Sequence, residues 1–290
     1  MDVGVLILPE HRWVEAEPLW RKAEDLGFAH VWTYDHLAWR TLADHPWHAA
    51  VPALAAAALA TSRIRLGTLV ATPNFRHPVT FARELVTLDD LSDGRLTVGV
   101  GAGGPGWDAS MLGQQQWSGR ERAERFAEFV ALLDRLLREP NTSYDGRYFR
   151  AVEARTHPGC VQRPRVPLAV AATGPRGMRV VANHAETWVT NGDRDYTGPP
   201  LGPEEGAAVF RRQSRLLDDV CRGVGRDPDT LRRLVLTGPL LDGGLASPAA
   251  FGEVVAAYAE AGATDLVVHW PRTDEPYAGD PGVLDRLALG

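Results

Sequence analysis

The sequence predicts one closed barrel of eight parallel strands, each followed by a helix. Three observations carry that prediction. Short apolar runs alternate with longer helical patterns from one end of the chain to the other, as expected of repeated strand–helix units around a parallel sheet. Eight such apolar runs can be counted, the number that closes a (β/α)8 TIM barrel. The chain has 290 residues, close to the roughly 250 typical of that barrel. An open doubly wound sheet is the alternative, but no dinucleotide fingerprint opens any of the strand–helix turns. No composition shift or linker marks a boundary, so residues 1–290 read as a single domain.

The elements follow in order. Residues 3–8 (VGVLIL) form the first expected strand, and residues 13–26 an amphipathic helix. The second strand spans 30–34. The Ala-rich helix after it spans 48–60, with Pro52 near its start. The third strand spans 65–70, and the helix over 78–91 opens on Pro78, where a first helical turn tolerates proline. The fourth strand spans 96–101. Helix 120–138 follows it, with Phe126, Phe129, Val130, Leu133, Leu136 and Leu137 at spacings of three and four that make one apolar stripe. The remaining strands are expected at 167–172, 187–190, 234–240 and 265–269. Two stretches break the rhythm. Residues 141–167 hold TSYDGRYF, an Asp-Gly turn between aromatic flanks, which reads as a small hairpin inserted before the fifth strand. Residues 193–203 are rich in Gly, Pro and Asp and read as a loop.

Composition narrows the function. Hydrophobic residues make up 44% of the chain, enough for a core, and no run of about 18 apolar residues suggests a membrane span. The N-terminal MDVGVLILPEHRW lacks the basic start and small-residue cleavage site of a signal peptide, so a cytoplasmic protein is expected. Cys160 and Cys221 are too few for a disulfide framework or a zinc cage. The net charge of −6, with basic residues spread along the chain, argues against nucleic-acid binding.

In a barrel of this kind the active site lies at the C-terminal ends of the strands, so the residues there matter most. The second strand runs into Tyr34-Asp35-His36. His36 either faces the mouth as an acid, base or cofactor contact, for which imidazole suits, or is a satisfied wall residue. Asp35 either serves the site or caps the turn. The third strand leads into Ala71-Thr72-Pro73-Asn74-Phe75, a turn that could also line a pocket. The fourth ends in Gly99-Val100-Gly101-Ala102-Gly103-Gly104, where a flat ligand can approach the backbone. The fifth is followed by Thr173-Gly174-Pro175-Arg176-Gly177 at the start of a helix. Such a turn presents N–H groups and the positive dipole end to a phosphate, or is an ordinary connection. The eighth ends in His269-Trp270-Pro271-Arg272, a pocket wall or packing. No His-x-His and no series of carboxylates ends successive strands, so no metal site is expected. A mouth of Gly, Ala, Thr, His and Trp suits a flat organic cofactor that brings its own chemistry.

These residues carry a resemblance. The block RIRLGTLVATPNFRHPVTFARELVTLDDLSDGRLTVGVGAG, from Arg63 to Gly103, is similar to the luciferase-like monooxygenase superfamily, of bacterial-luciferase type. So are Ala23-Glu24-Asp25-Leu26-Gly27-Phe28, Val31-Trp32, Asp35-His36, Leu112-Gly113, Arg120-Glu121-Arg122, Gly146-Arg147-Tyr148-Phe149 and residues 164–174. The distinctive motifs cover roughly residues 1–195.

The resemblance implies a bacterial-luciferase-like barrel that binds coenzyme F420, or alternatively FMN, at its mouth. The short chain resembles the F420-dependent oxidoreductase branch. That branch implies a bulge with a non-proline cis peptide in the third strand, matched by Leu69–Val70, with the cofactor ring against Leu69, Val70, Ala71, Gly101 and Gly103. It implies His36 beside the ring, Asp35 orienting it, and Thr173, Gly174, Pro175, Arg176 and Gly177 around the cofactor phosphate. Trp39, Thr72, Trp107 and Trp270 are the candidate substrate-pocket residues. Two departures stand out: the F420-dependent glucose-6-phosphate dehydrogenases carry a Glu where this chain has Gly104, and Trp39 is one residue nearer the histidine than their tryptophan. A less charged substrate is therefore expected. The competing expectations are an FMNH2-dependent monooxygenase fed by a partner reductase, and a flavin-binding protein without turnover. A homodimer acting on a small-molecule substrate is expected, with neither nucleic acid nor membrane as partner.

Overall fold

The apolar runs become strands that alternate their side chains between two layers. A computed structural model describes residues 1–104, 107–193, 197–238, 240–287 and 289, with only the main chain of Arg40 and Trp107. Along β1 (Asp2–Leu6) and the two residues after it, Val3, Val5 and Ile7 pack outward under the helices, while Leu6 and Leu8 point into the barrel. The same period of two sets Val31 outward and Trp32 inward on β2 (His30–Thr33), and Leu266 and Val268 outward and Val267 inward on β10 (Asp265–His269). Successive strand side chains point to opposite faces, so one buried strand feeds both cores.

Between these lie β3 (Arg65–Ala71), β4 (Leu96–Val100), β7 (Leu168–Ala171), β8 (Thr187–Thr190) and β9 (Arg232–Leu236). The eight strands close in the order β1-β10-β9-β8-β7-β4-β3-β2, every pair parallel. The predicted (β/α)8 barrel is thus what forms. An antiparallel hairpin, β5 (Asn141–Asp145) and β6 (Arg150–Arg155), stands apart before β7, as expected. Its turn is four residues long, held by Glu128, whose carboxylate accepts from the N–H groups of Arg147, Tyr148 and Phe149.

The helices around the ring are α1 (Trp13–Asp25), α2 (Ala50–Ala60), α3 (Pro78–Leu91), α4 (Trp107–Met111), α5 (Gly119–Arg138), α6 (Pro175–His184), α7 (Pro203–Gly223) and α8 (Pro248–Glu260). Ser118 and Glu121 form a capping box that starts α5. The stripe read from its sequence is fully buried.

Two differences from the sequence reading have physical causes. β9 starts at Arg232, two residues before its apolar run, because Arg232 pairs with Asp2 and Asp265, and Arg233 with Asp218. β10 is followed by no full helix among the described residues. A 3₁₀ turn, Pro281–Arg286, buries Val283 and Leu284 instead.

At one point the ring is irregular. The β3–β4 register shifts between Thr68 and Ala71, and the Leu69–Val70 peptide is cis, as the resemblance implied. The backbones approach closely there: a Cβ on Gly99 would stand 2.0 Å from the Thr68 carbonyl oxygen, so only glycine fits.

Candidate functional site

The strand ends surround a cavity of about 980 Å³. Its floor and one side come from the β3 bulge (Leu69, Val70), Thr72, the residues 101–104 after β4, and Ala171 and Ala172 at the end of β7. Gly101 is confined: a Cβ there would lie 2.7 Å from Val70 Cγ2. Gly103 has φ +69°, and a Cβ would strike the Asn74 amide. These glycines keep the wall flat and let a ligand lie against main chain.

Residues 173–177 border the same side. The start of α6 is uncapped by any side chain, with Gly174 at the cap and Pro175 in the first turn. Its N–H groups therefore face outward at the positive end of the helix dipole, the arrangement that accepts a phosphate. Arg176 and, from α5, Arg122 line the cavity nearby.

His36 stands in the connection after β2. Its Nδ1 lies 2.8 Å from Asp108 Oδ2, and Asp108 Oδ1 accepts from the Leu37 N–H at 2.7 Å. The Trp47 indole donates to the His36 carbonyl at 2.8 Å. Asp108 lies in the first turn of α4 and is buried. With its carboxylate accepting from Nδ1–H, Nε2 is the nitrogen left to take or give a proton.

The opposite wall is aromatic. Trp39 stacks near Trp47 and Tyr277, and tilts against Tyr34 at 5.1 Å between ring centres. The Tyr34 hydroxyl lies 2.7 Å from His269 Nε2 and 3.1 Å from the Tyr277 hydroxyl. Burial pushes the His269 pKa down to about 3, against the opposing pull of the Thr237 backbone, so the ring is neutral.

Of the residues singled out from sequence, His36, Trp39, Leu69, Val70, Thr72, Gly101, Gly103 and the whole run 173–177 line this one cavity. Three do not. Asp35 is buried behind it, in a bidentate pair with Arg76 at 2.7 and 3.0 Å, so it does not orient His36. Ala71 points outward into the layer beneath the helices, because the register shift places Leu69 and Val70 at the mouth. Trp270 packs into that outer layer too, one residue past the inward-facing end of β10. The side chain of Trp107 lies outside the described residues. Sequence reasoning missed Asp108, Arg122, Tyr34 and Tyr277. The signal for Asp108 was available as a carboxylate at the start of the segment after the β4 glycines. Its reach back across 72 positions was not. Among the described residues no three His, Cys, Asp or Glu side chains gather as metal ligands. Nor is any helix there long and apolar enough to cross a membrane.

Comparison with known proteins fits this geometry. An F420-dependent glucose-6-phosphate dehydrogenase of Beutenbergia cavernae is 38% identical over 224 residues, 74% of this chain and 65% of that protein. One of Amycolatopsis mediterranei is 36% identical over 57% of this chain and 48% of its own length. The chain thus spans about half to two thirds of these curated relatives. Among solved structures, an F420-dependent tetrahydromethanopterin reductase from Methanopyrus kandleri superposes with TM-score 0.76 at 19% identity, covering 98% of this chain and 96% of that one. An F420-dependent secondary alcohol dehydrogenase gives TM-score 0.74 at 19% identity, covering 92% of each. At such identity the likeness speaks for the fold. The model of the luciferase-like monooxygenase family matches residues 1–216, well over half of the sequence, and the chain belongs to the luciferase-like monooxygenase family.

Proposed function

We propose that this protein is an oxidoreductase that uses coenzyme F420 to move a hydride to or from a small organic substrate. One observation carries the reading. A flat wall at the β3 bulge, an uncapped helix start and a carboxylate-held histidine all open on one cavity. The relatives at 36–38% identity are named for the same coenzyme.

The residues fit the cofactor. Leu69, Val70 and Gly101 offer main chain and aliphatic surface to a planar ring, and added Cβ bulk at Gly101 would collide with Val70. The N–H groups at residues 176–177 suit a phosphate, with Arg176 and Arg122 beside them for further negative charge. When bound, the deazaflavin supplies the hydride acceptor or donor. The chain's own part is proton handling and placement. His36 Nε2 takes the proton of an alcohol or returns it to a carbonyl, while Asp108 holds the ring in one tautomer and balances the imidazolium charge.

Titration of the purified protein with coenzyme F420 and, separately, with FMN tests this. We expect micromolar or tighter F420 binding; tight FMN binding with none for F420 would sink the proposal in favour of a flavin-dependent monooxygenase supplied by a partner reductase. That second reading draws on the family description and on the same flat wall. Binding without turnover on any substrate would favour a carrier. A cytoplasmic location, a single domain over 1–290 and pairing into a homodimer complete the proposal.

A further inference from the structure

The order of strands divides the cavity into two arcs. Leu69, Val70, the glycines after β4 and residues 173–177 belong to the neighbouring strands β3, β4 and β7. Tyr34 and Trp39 follow β2, the neighbour of β3 on its other side, and Thr237 and Tyr277 follow β9 and β10, across the ring. Arg122 and Arg176 stand on α5 and α6, which flank β7 on the first arc. Among the described residues, the second arc carries no lysine or arginine in its lining, and His36 there is already matched by Asp108. A phosphate placed against it would lose hydration with no cation in return.

Besides His36 and Thr237, whose hydroxyl donates to the Val267 carbonyl, the polar groups of this arc are the phenols of Tyr34 and Tyr277. Tyr34 and Tyr277 both line the cavity, with their oxygens 3.1 Å apart. His269 stacks on Tyr277 with ring centres 3.6 Å apart and 12° between planes, and its Nε2 holds the Tyr34 hydroxyl at 2.7 Å. A buried neutral imidazole fixes that hydroxyl without charging the wall. Tyr34 is itself buried, so its position is set by packing against Trp39 as well as by the hydrogen bonds.

We propose that Tyr34 is a specificity-determining residue that receives the hydroxyl or carbonyl oxygen of a neutral, ring-bearing alcohol or ketone, whose ring lies against Trp39 and Tyr277. The proposal rests on the reading of this cavity as an F420-dependent oxidoreductase site. A site that hydrogen-bonds a substrate oxygen discriminates strongly against compounds that lack it, whereas an aromatic wall ranks them by area.

The test is binding to the F420-loaded protein, read by quenching of tryptophan fluorescence, for cyclohexanol, cyclohexanone, 1-phenylethanol and acetophenone against glucose 6-phosphate. We expect the neutral ring compounds to bind at least about tenfold more tightly than the sugar phosphate. Tyr34→Phe should weaken them about tenfold, the loss of one hydrogen bond, with the F420 dissociation constant within about twofold of wild type. Tyr277→Phe, which keeps the ring and removes the neighbouring hydroxyl, should weaken the same probes and serves if Tyr34→Phe does not fold. Tighter binding of glucose 6-phosphate, no binding of the neutral probes, or an unchanged affinity in the variants overturns the proposal. Failure to bind F420 in the prior titration overturns the underlying reading instead, and the neutral probes are then measured on the protein alone.

Discussion

Asp35 and His36 are neighbours in sequence and part company in the barrel. Asp35 turns behind the wall to Arg76, which is also bonded to Glu84 and packed near the Phe75 and Phe81 rings. His36 turns to the cavity and meets Asp108. The two carboxylates therefore differ in role. His36→Ala should lower kcat by about 10²–10⁴-fold, the usual range for a lost general acid or base, with F420 affinity held within about twofold. Asp108→Asn should lower kcat in the same direction and by less, because the ring survives but its tautomer is no longer fixed. Steady-state kinetics beside cofactor titration separates these effects; wild-type kcat in His36→Ala would remove His36 from the chemistry. His36 was legible in the sequence because it follows closely on a strand, at the C-terminal end where such barrels place their sites. Asp108 was not, since nothing local tells a helix-start carboxylate that bonds its own helix from one that reaches another loop.

At the scale of elements, the start of α6 shows how little a turn can change. A Cβ at Gly177 would lie 2.9 Å from the Ala172 Cβ, while one at Gly174 would meet nothing within 4 Å. Gly177→Ala should therefore cost about 1–3 kcal/mol in urea unfolding, as overpacking does, and weaken F420 severalfold by shifting the N–H groups. Gly174→Ala should leave stability near wild type. Equal losses in both would show that helix-start conformation rather than packing decides the turn. The turn itself was readable from Gly, Pro and Gly ahead of an apolar stripe. The two arginines that open β9 were not readable as strand, because their charges are answered by Asp2, Asp218 and Asp265 from distant parts of the chain. Buried parallel strands read well where they are apolar on both faces, and poorly where ion pairs replace that signal.

For the whole molecule, stability should fall on mild acidification. His269 is neutral in the fold, with its pKa lowered by burial from 6.5 to about 3. The unfolded chain binds a proton in that interval and the folded chain does not, so stability is full above pH 6.5 and declines as pH falls toward 3. The slope for one such group is at most about 1.4 kcal/mol per pH unit. Carboxylates held low act later: Glu24, at about 2, and Asp265, also at about 2, lose their contribution only below their ordinary values of 4.5 and 3.8. His77, exposed and lowered by partial burial and by Arg125, adds less. Between pH 6.5 and 4.5, His269→Gln should flatten the dependence of the urea midpoint on pH; an unchanged slope would assign it to other groups. Closure of the ring was legible from the count of apolar runs, because every strand had to be buried twice.

The loop after β10 has a bearing on how such a protein changes over time. Arg272 clamps it, bonding both oxygens of Glu10 and the carbonyls of Asp274 and Pro276, and Tyr277 is presented from it. None of these contacts touches β3, β4 or β7. Changes in the segment bearing Tyr277 should therefore leave the arc opposite in place, so short insertions and deletions there are a route to new specificities.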